Sequence, residues 1–460
     1  MGSSEGSSGL RSGSFSRKDE VHPALHIGMD GVVTTTIRRG QDRMQLQTIL
    51  HRVERHKGFV YEEVVFRDAA EGLALDVTVR HRSKSRPICS GCGRAGPGYD
   101  RLPKRRYQFV PLWALAVYFV YAPRRVACPR CGIKVERLPW AEGKSRLTTT
   151  YQWFLASWAK RLAWQQVADV FHTSWQSVYR SVQRAVTWGL AHRNLDGIEA
   201  IGVDEVQWQK GHRYLTLVYQ IDGNCRRLLH IAPERTVRSL LSFFRMLGKT
   251  RSAALQFVCS DMWQPYLKVI AKKAGQAVHV LDRFHVMAKM NKAIDEVRAA
   301  ETKRLKKDGY EQVLKHSRWC LLKRPENLTE KQTVKLAEVL KYNLRTVRAY
   351  LLREDFQRFW QYRSPYWAAR FLTEWCGRVL RSRIEPMKKV ARTLEKHGEL
   401  ILNWFTAKGT ISAGIVEGLN YNVKLTMRKS YGFRTLEAVK TALYHRLGDL
   451  PEPEFTHRFW

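Results

Sequence analysis

Two short knuckles, "CSGCG" at residues 89–93 and "CPRCG" at residues 128–132, constrain this chain more tightly than any other stretch. Two residues between thiols let one tight turn present both sulfurs to a tetrahedral ion, and the glycine after each pair accepts the positive φ that such turns need. Cys89, Cys92, Cys128 and Cys131 thereby form a candidate four-cysteine site for a structural zinc ion (Zn2+). The 35 residues between Cys92 and Cys128 exceed the usual finger spacing, so strands must fill the gap, as in a zinc ribbon. A redox pair and disulfides are the competing readings, the latter disfavoured in a reducing compartment. Cys225, Cys259, Cys320 and Cys376 stand alone in apolar settings and read as buried thiols.

A ribbon accounts for only part of 460 residues, more than one core usually supports, so two or three domains are expected. Residues 1–43 are Ser/Gly-rich and then irregular; they read as a disordered extension, with Met44 a candidate natural start. Residues 44–147 form a β-rich, ribbon-containing domain: "LALDVTVRHR" and "RYQFVPLWALAVYFVYAPRRVAC" are β-branched and aromatic runs broken by Pro and Gly. Residues 148–195 change to helix. Residues 196–290 alternate apolar runs ("IEAIGVDE", "RYLTLVYQID", "ALQFVCSD", "AVHVLDR") with helical stretches such as "TVRSLLSFFRML", the pattern of a mixed α/β sheet. Residues 291–405 are almost entirely helical, basic and rich in aromatics, and residues 406–460 add a last helix pair. The fold class is multidomain α/β.

Charge narrows the partner. Seventy-nine Lys plus Arg against 42 Asp plus Glu leave +37, far more than solubility requires, and the excess runs along most of the chain. Long nucleic acid tracks fit that distribution better than a lipid patch. The longest apolar run, residues 109–122, has 14 residues and contains Pro111, so it reads as strand or core rather than a membrane span. The N-terminus lacks the apolar stretch of a signal peptide, and a cytoplasmic setting is expected.

Within residues 164–190, a helix placing Val167, Ala168, Val170 and Phe171 inward is followed by the break "HTSW" and a second helix that Ser174 or Thr173 can cap. Val178, Val182 and Val186 repeat at core spacing, leaving Gln176, Ser177, Arg180 and Arg184 outward. A helix-turn-helix entering the DNA major groove has this pattern, and so does an ordinary αα-hairpin.

In so cationic a chain, an acid ending an apolar strand needs a reason. Asp204 in "AIGVDEVQW" and Asp261 in "LQFVCSDMW" occupy such positions, where side chains of a mixed sheet converge. Carboxylates there can hold two hard divalent cations for phosphodiester chemistry. The bland reading of either is a turn or helix cap, stronger for Asp261, which precedes "QPYLKVIAKKA". Asp222 in "IDGN" reads as a hairpin turn, and Asp282 in "LDRFHV" is the serious competitor. Glu417 heads "GIVEGLNYNVKLTMRKSYGFR". On helical spacing Glu417, Asn420 or Tyr421, Lys424 and Arg428 share one face, and Val416, Leu419, Val423 and Met427 another. Gly414 and Gly418 would let the backbone approach a strand or DNA, and Lys424 and Arg428 would hold a phosphate.

These stretches, with "VLDRFHVMAKMNKAIDEVR" and "LLKRPENLT", resemble the DDE transposases of the bacterial insertion-sequence ISL-three group, over roughly Met44 to the C-terminus. The resemblance implies an RNase H-like core with a large helical insertion, preceded by a zinc ribbon and a helix-turn-helix. It also implies a triad of Asp204, Asp261 and Glu417 holding Mg2+ or Mn2+. Terminal inverted repeats and target DNA would be the partners, handled by a homodimer on paired ends. Asp282 and His285 in "DRFH" match a further family pattern and read as site support or DNA contacts. The 156 positions between Asp261 and Glu417 would hold the insertion, whose exposed Trp and Arg would stack on bases while most aromatics stay in the core. The rivals are a catalytically inactive DNA-binding regulator and a stand-alone nuclease.

Overall fold

The computed structural model describes residues 45–69, 72–407, 413–430 and 432–454, and the backbone of two paired strands, Leu25–Ile27 and Val33–Thr35. Met44 and the rest of the extension lie outside the described residues. The chain divides into two compact units. One comprises the residues through Ala159, Val167–Ser181 and the end of the chain from Pro453; the other comprises Lys160–Gln166 and Val182–Glu452.

The first unit is β-rich. Strand Gly72–His81 pairs antiparallel with Phe59–Ala69 on one edge and parallel with Leu115–Tyr121 on the other. Leu115–Tyr121 returns as a hairpin to Arg105–Leu112, so the run containing Pro111 is two strands. Val117, Phe119 and Tyr121 alternate inward and are buried, as a half-buried strand requires. A smaller sheet of Gly98–Arg101, Arg124–Cys128 and Gly132–Val135 carries the second cysteine pair.

Two helices, α1 (Trp164–Val170) and α2 (Trp175–His192), follow, and the division between units passes through both. The second unit is built on a five-stranded sheet: β1 (Ala200–Gln209), β2 (Arg213–Asp222), β3 (Cys225–Pro233), β4 (Phe257–Ser260) and β5 (Val278–Leu281). Its spatial order is β3-β2-β1-β4-β5. The first three strands form an antiparallel meander, and β4 and β5 run parallel to β1. Asp222 sits at the β2–β3 hairpin, paired with Cys225.

Ile201, Val203, Val218, Leu229 and Val258 form one core with α3 (Val237–Leu247) and α4 (Gln264–Lys273). A long helix, α5 (Arg283–Lys307), opens the helical segment that runs to Thr406. The core of this segment, which also takes in Met262, Leu267 and Leu281, fully buries Met290, Ile294, Phe356, Phe359, Trp375 and Met387. Each such aliphatic or Phe side chain contributes about 1.5–3 kcal/mol of burial. Trp319 and Trp367, by contrast, are 57% and 51% exposed, each beneath an arginine, Arg318 and Arg370. The chain then returns to the sheet: α6 (Ala413–Lys429) packs on β1 and β2, and α7 (Leu436–Leu447) on β3. Among the described residues, no helix is long and apolar enough to cross a membrane.

Candidate active site

Parallel pairing sets Gly202 opposite Cys259 and Ser260 opposite Leu281. Asp204, two residues beyond Gly202, lies in the middle of β1 and not at a strand end as read from the sequence, because β1 stays paired with β2 as far as Gln209, whereas Asp261 and Asp282 each stand one residue past β4 and β5. Such ends are where open sheets gather functional side chains. Alternation along β1 sends Ile201 and Val203 toward α3 and α4 and turns Gly202 and Asp204 to the other face.

That other face receives α6. Val416, Leu419 and Val423 are buried and Glu417, Tyr421, Lys424 and Arg428 exposed, as helical spacing requires. The close approach is made by Gly202, where a Cβ would lie 2.5 Å from Val416 Cγ2. Gly418, assigned that role from sequence, faces open space, because it lies on the exposed side of the helix. The approach brings Asn420 Nδ2 to Asp204 Oδ2, to which it donates a hydrogen bond, while the Tyr219 hydroxyl donates to Asn420 Oδ1 at 2.7 Å. Asn420 thus points inward and Tyr421 outward.

Glu417 lies one turn before Asn420 on the same helix. The first turn of α6 contains no acid, so Glu417 sits beyond the stretch where a helix dipole stabilises a carboxylate by about 0.3–1 kcal/mol. Asp261 makes the turn contact considered for it, its Oδ1 accepting the Trp263 N–H at 2.9 Å, while its Oδ2 pairs with Arg235. Asp282 caps α5 through the Phe284 N–H at 2.7 Å. One turn on, His285 Nε2 stands 3.6 Å from Asp204 Oδ1 and 3.8 Å from Asp282 Oδ2.

The electrostatics report concentrated negative charge within a cationic protein. Burial pushes Asp282 up to about 6, against the pull of His285 and the Phe284 N–H and with a further push from Asp204 and Glu417. Burial, then the Asp261 charge, pushes Glu205 up to about 7 despite Arg235. Burial opposes protonation of His285, yet Asp204, Asp282 and Asp261 hold it up to about 8. A set of oxygen donors with these properties fits a hard divalent cation. Among the described residues, the one group of three or more His, Cys, Asp or Glu whose ligand atoms all lie within 4.8 Å of one another is Cys89, Cys92, Cys128 and Cys131. Asp204, Asp261 and Glu417 do not close to that spacing. Sequence reasoning missed Glu205, Arg235, Tyr219 and Gly202; the one available signal was the acid beside Asp204, whose strand parity points it inward with Val203.

In the four-cysteine cluster, Gly93 and Gly132 adopt φ of 71° and 70°, the turn conformation that the knuckles call for. Backbone N–H groups of Arg130 and Cys131 pull the Cys128 thiol down to about 6. The neighbouring sulfur of Cys92 pushes Cys131 up to about 12, so four thiolates together require a cation. Cys259, Cys320 and Cys376 are buried as expected; Cys225, near the hairpin turn, is only half-buried.

In α2, Ser174 is the cap: its Oγ accepts the Ser177 N–H at 3.1 Å. Gln176 and Arg180 are exposed, and Ser177 and Arg184 are half-buried. Val167 and Ala168 are buried, but Val170 is 57% exposed, because α1 is only two turns long and ends at that residue.

Carboxylates gathered near one another are compatible with metal-dependent chemistry, and comparison with known proteins supplies the family. Residues 201–443 match the family described as "Transposase", the DDE transposases of the ISL3 group. The transposase for insertion sequence element IS1001 of Bordetella parapertussis is 30% identical over 369 residues, covering 80% of this chain and 90% of that protein. The transposase for insertion sequence element IS1557 of Mycobacterium tuberculosis (strain CDC 1551 / Oshkosh) is 28% identical over 411 residues, covering 83% and 91%. The chain belongs to the DDE transposases of the ISL3 group. It is a transposase, an enzyme acting on DNA through divalent-metal catalysis, and the reading as an inactive regulator is not favoured.

Proposed function

We propose that Asp204, Asp261 and Glu417 are the catalytic triad and together hold two Mg2+ or Mn2+ ions. The observation that carries this is the Asn420–Asp204 hydrogen bond, which ties the helix bearing Glu417 to the strand bearing the first acid, across 216 positions of chain. The sheet order, with antiparallel β3-β2-β1 continued by parallel β4 and β5, supports an RNase H-like core made of residues 196–290 and 406–460, with residues 291–405 inserted. When bound, the ions lower the pKa of an attacking water or hydroxyl and stabilise the leaving oxygen. The carboxylates orient the scissile phosphodiester's surroundings; water cuts at the element end, and the freed 3′-hydroxyl attacks target DNA. His285, cationic near neutrality, steadies Asp204 and Asp282, while Lys424 and Arg428 hold backbone phosphates.

Elsewhere, Cys89, Cys92, Cys128 and Cys131 hold a structural Zn2+ and shape a ribbon within residues 44–147. The helices of residues 148–195 form a helix-turn-helix whose Gln176, Ser177, Arg180 and Arg184 read terminal inverted repeats. A homodimer assembles on paired ends, in the bacterial cytoplasm where its DNA lies. The test is cleavage and joining of end-bearing DNA with and without Mg2+. Asp204→Asn and Glu417→Gln should abolish both products and leave end binding intact. Wild-type cleavage by either variant contradicts the triad, as does binding lost from a folded protein; nicking without any strand transfer would favour a nuclease.

A further inference from the structure

We infer that Arg235 is a positioning residue for the second aspartate, anchored from the opposite face of the sheet by Glu205. The inference rests on the proposed triad. Strand alternation sends Glu205 away from Asp204, into the layer of α3 and α4, where its side chain is 8% exposed and one oxygen lacks an aligned hydrogen bond. A carboxylate buried there needs a cation, and Arg235 Nε lies 3.2 Å from it. The same guanidinium reaches Asp261 Oδ2 through Nη2 and lies over the Trp263 ring, 4.7 Å from its centroid.

The backbone beneath Arg235 is fixed on both sides. Glu234 is held at φ 62°, a conformation that a non-glycine residue adopts only under constraint. Its N–H donates to the Tyr214 carbonyl at 2.8 Å and its carbonyl accepts the Thr216 hydroxyl at 2.6 Å. On the other side Thr236 caps α3. Arg235 is thus stacked, doubly ion-paired and mounted on a rigid turn, whereas a surface arginine paired for charge alone needs none of this. With the Trp263 N–H on Oδ1 and Arg235 on Oδ2, the Asp261 carboxylate is locked in rotation while about half of its roughly four lone-pair sites stay open for a cation. A planar guanidinium can offer separate donors to the two carboxylates and stack on an indole at once, which makes arginine, and not lysine, the residue for this task.

Removing the guanidinium should free Asp261 and leave Glu205 uncompensated, with opposite effects on turnover and on metal binding. In the full-length protein, Arg235→Ala should cleave end DNA about 10- to 100-fold more slowly, as loss of an orienting partner does. Calorimetry without DNA should show Mn2+ binding about 3- to 10-fold tighter at unchanged stoichiometry, because a neighbouring positive charge is gone. Glu205→Gln, which keeps the cation but loosens its anchor, should slow cleavage without tightening Mn2+, and Arg235→Lys should recover only part of the rate. End-DNA binding should not change. Wild-type cleavage by Arg235→Ala overturns the inference, as does a loss of rate matched by a loss of Mn2+ stoichiometry. Asp204→Asn separates the failures: if it still cleaves, the triad reading falls; if it is inactive while Arg235→Ala cleaves normally, only the role of Arg235 falls.

Discussion

Asn420 gives the first aspartate its orientation. It is a buried amide with both ends engaged, by the Tyr219 hydroxyl and by Asp204. Replacing it with Ala strands a buried tyrosine hydroxyl and frees the carboxylate to rotate, so Asn420→Ala should slow DNA cleavage about 10- to 100-fold with end binding retained, checked by single-turnover cleavage at saturating Mg2+. The sequence placed Glu417 on a polar helix face but left Asn420 and Tyr421 as alternatives, since both sit nearly one turn later. Only the partner strand separates them. The roles of Glu205 and Arg235 were equally illegible, since they depend on a contact between a strand and a turn some 30 residues apart.

At the scale of elements, several strands and helices followed from residue type and spacing: the β-branched run within residues 73–82, the capped α2, and the Val416, Leu419, Val423 stripe of α6. Pairing did not. The parallel contact between Gly72–His81 and Leu115–Tyr121 is non-local, and the hairpin that produces it turns at Trp113 and Ala114, both at positive φ without a Gly or Asn to announce it. The seating of α6 on β1 was hidden for the same reason, because the glycine that permits it belongs to the strand. Gly202→Val would drive a branched side chain into Val416 and push α6 outward. The variant should melt lower, by an amount matching about 1–3 kcal/mol of overpacking, and its cleavage should fall further than that loss explains. Paired thermal melts and cleavage rates check this; a normal rate with a lowered melt would detach the seating of α6 from the chemistry.

For the molecule as a whole, charge correctly indicated a protein acting on DNA, and the acids stood out because the rest is so basic. Stability should also depend on pH. Burial holds His56, His230 and His279 down to about 4 and His445 down to about 3. Unfolded histidine takes a proton near 6.5, so the unfolded chain binds more protons than the folded one below that pH. Stability is therefore full above about 6.5 and falls as pH drops toward 4, by about 2 kcal/mol per buried imidazole at pH 5. Glu205, Asp282 and His285, with raised values, work in the opposite direction but are fewer. Melting temperatures between pH 7.5 and 5 should decline, and a flat profile would contradict the burial of these rings. The central claim, that a strand, a strand end and a distant helix share one metal centre, is tested most directly by anomalous diffraction from crystals of the protein bound to end DNA and Mn2+. The account predicts manganese peaks about 2.1 Å from carboxylate oxygens of Asp204, Asp261 and Glu417; peaks that omit Glu417, or that lie on Asp282 and His285 instead, would contradict it.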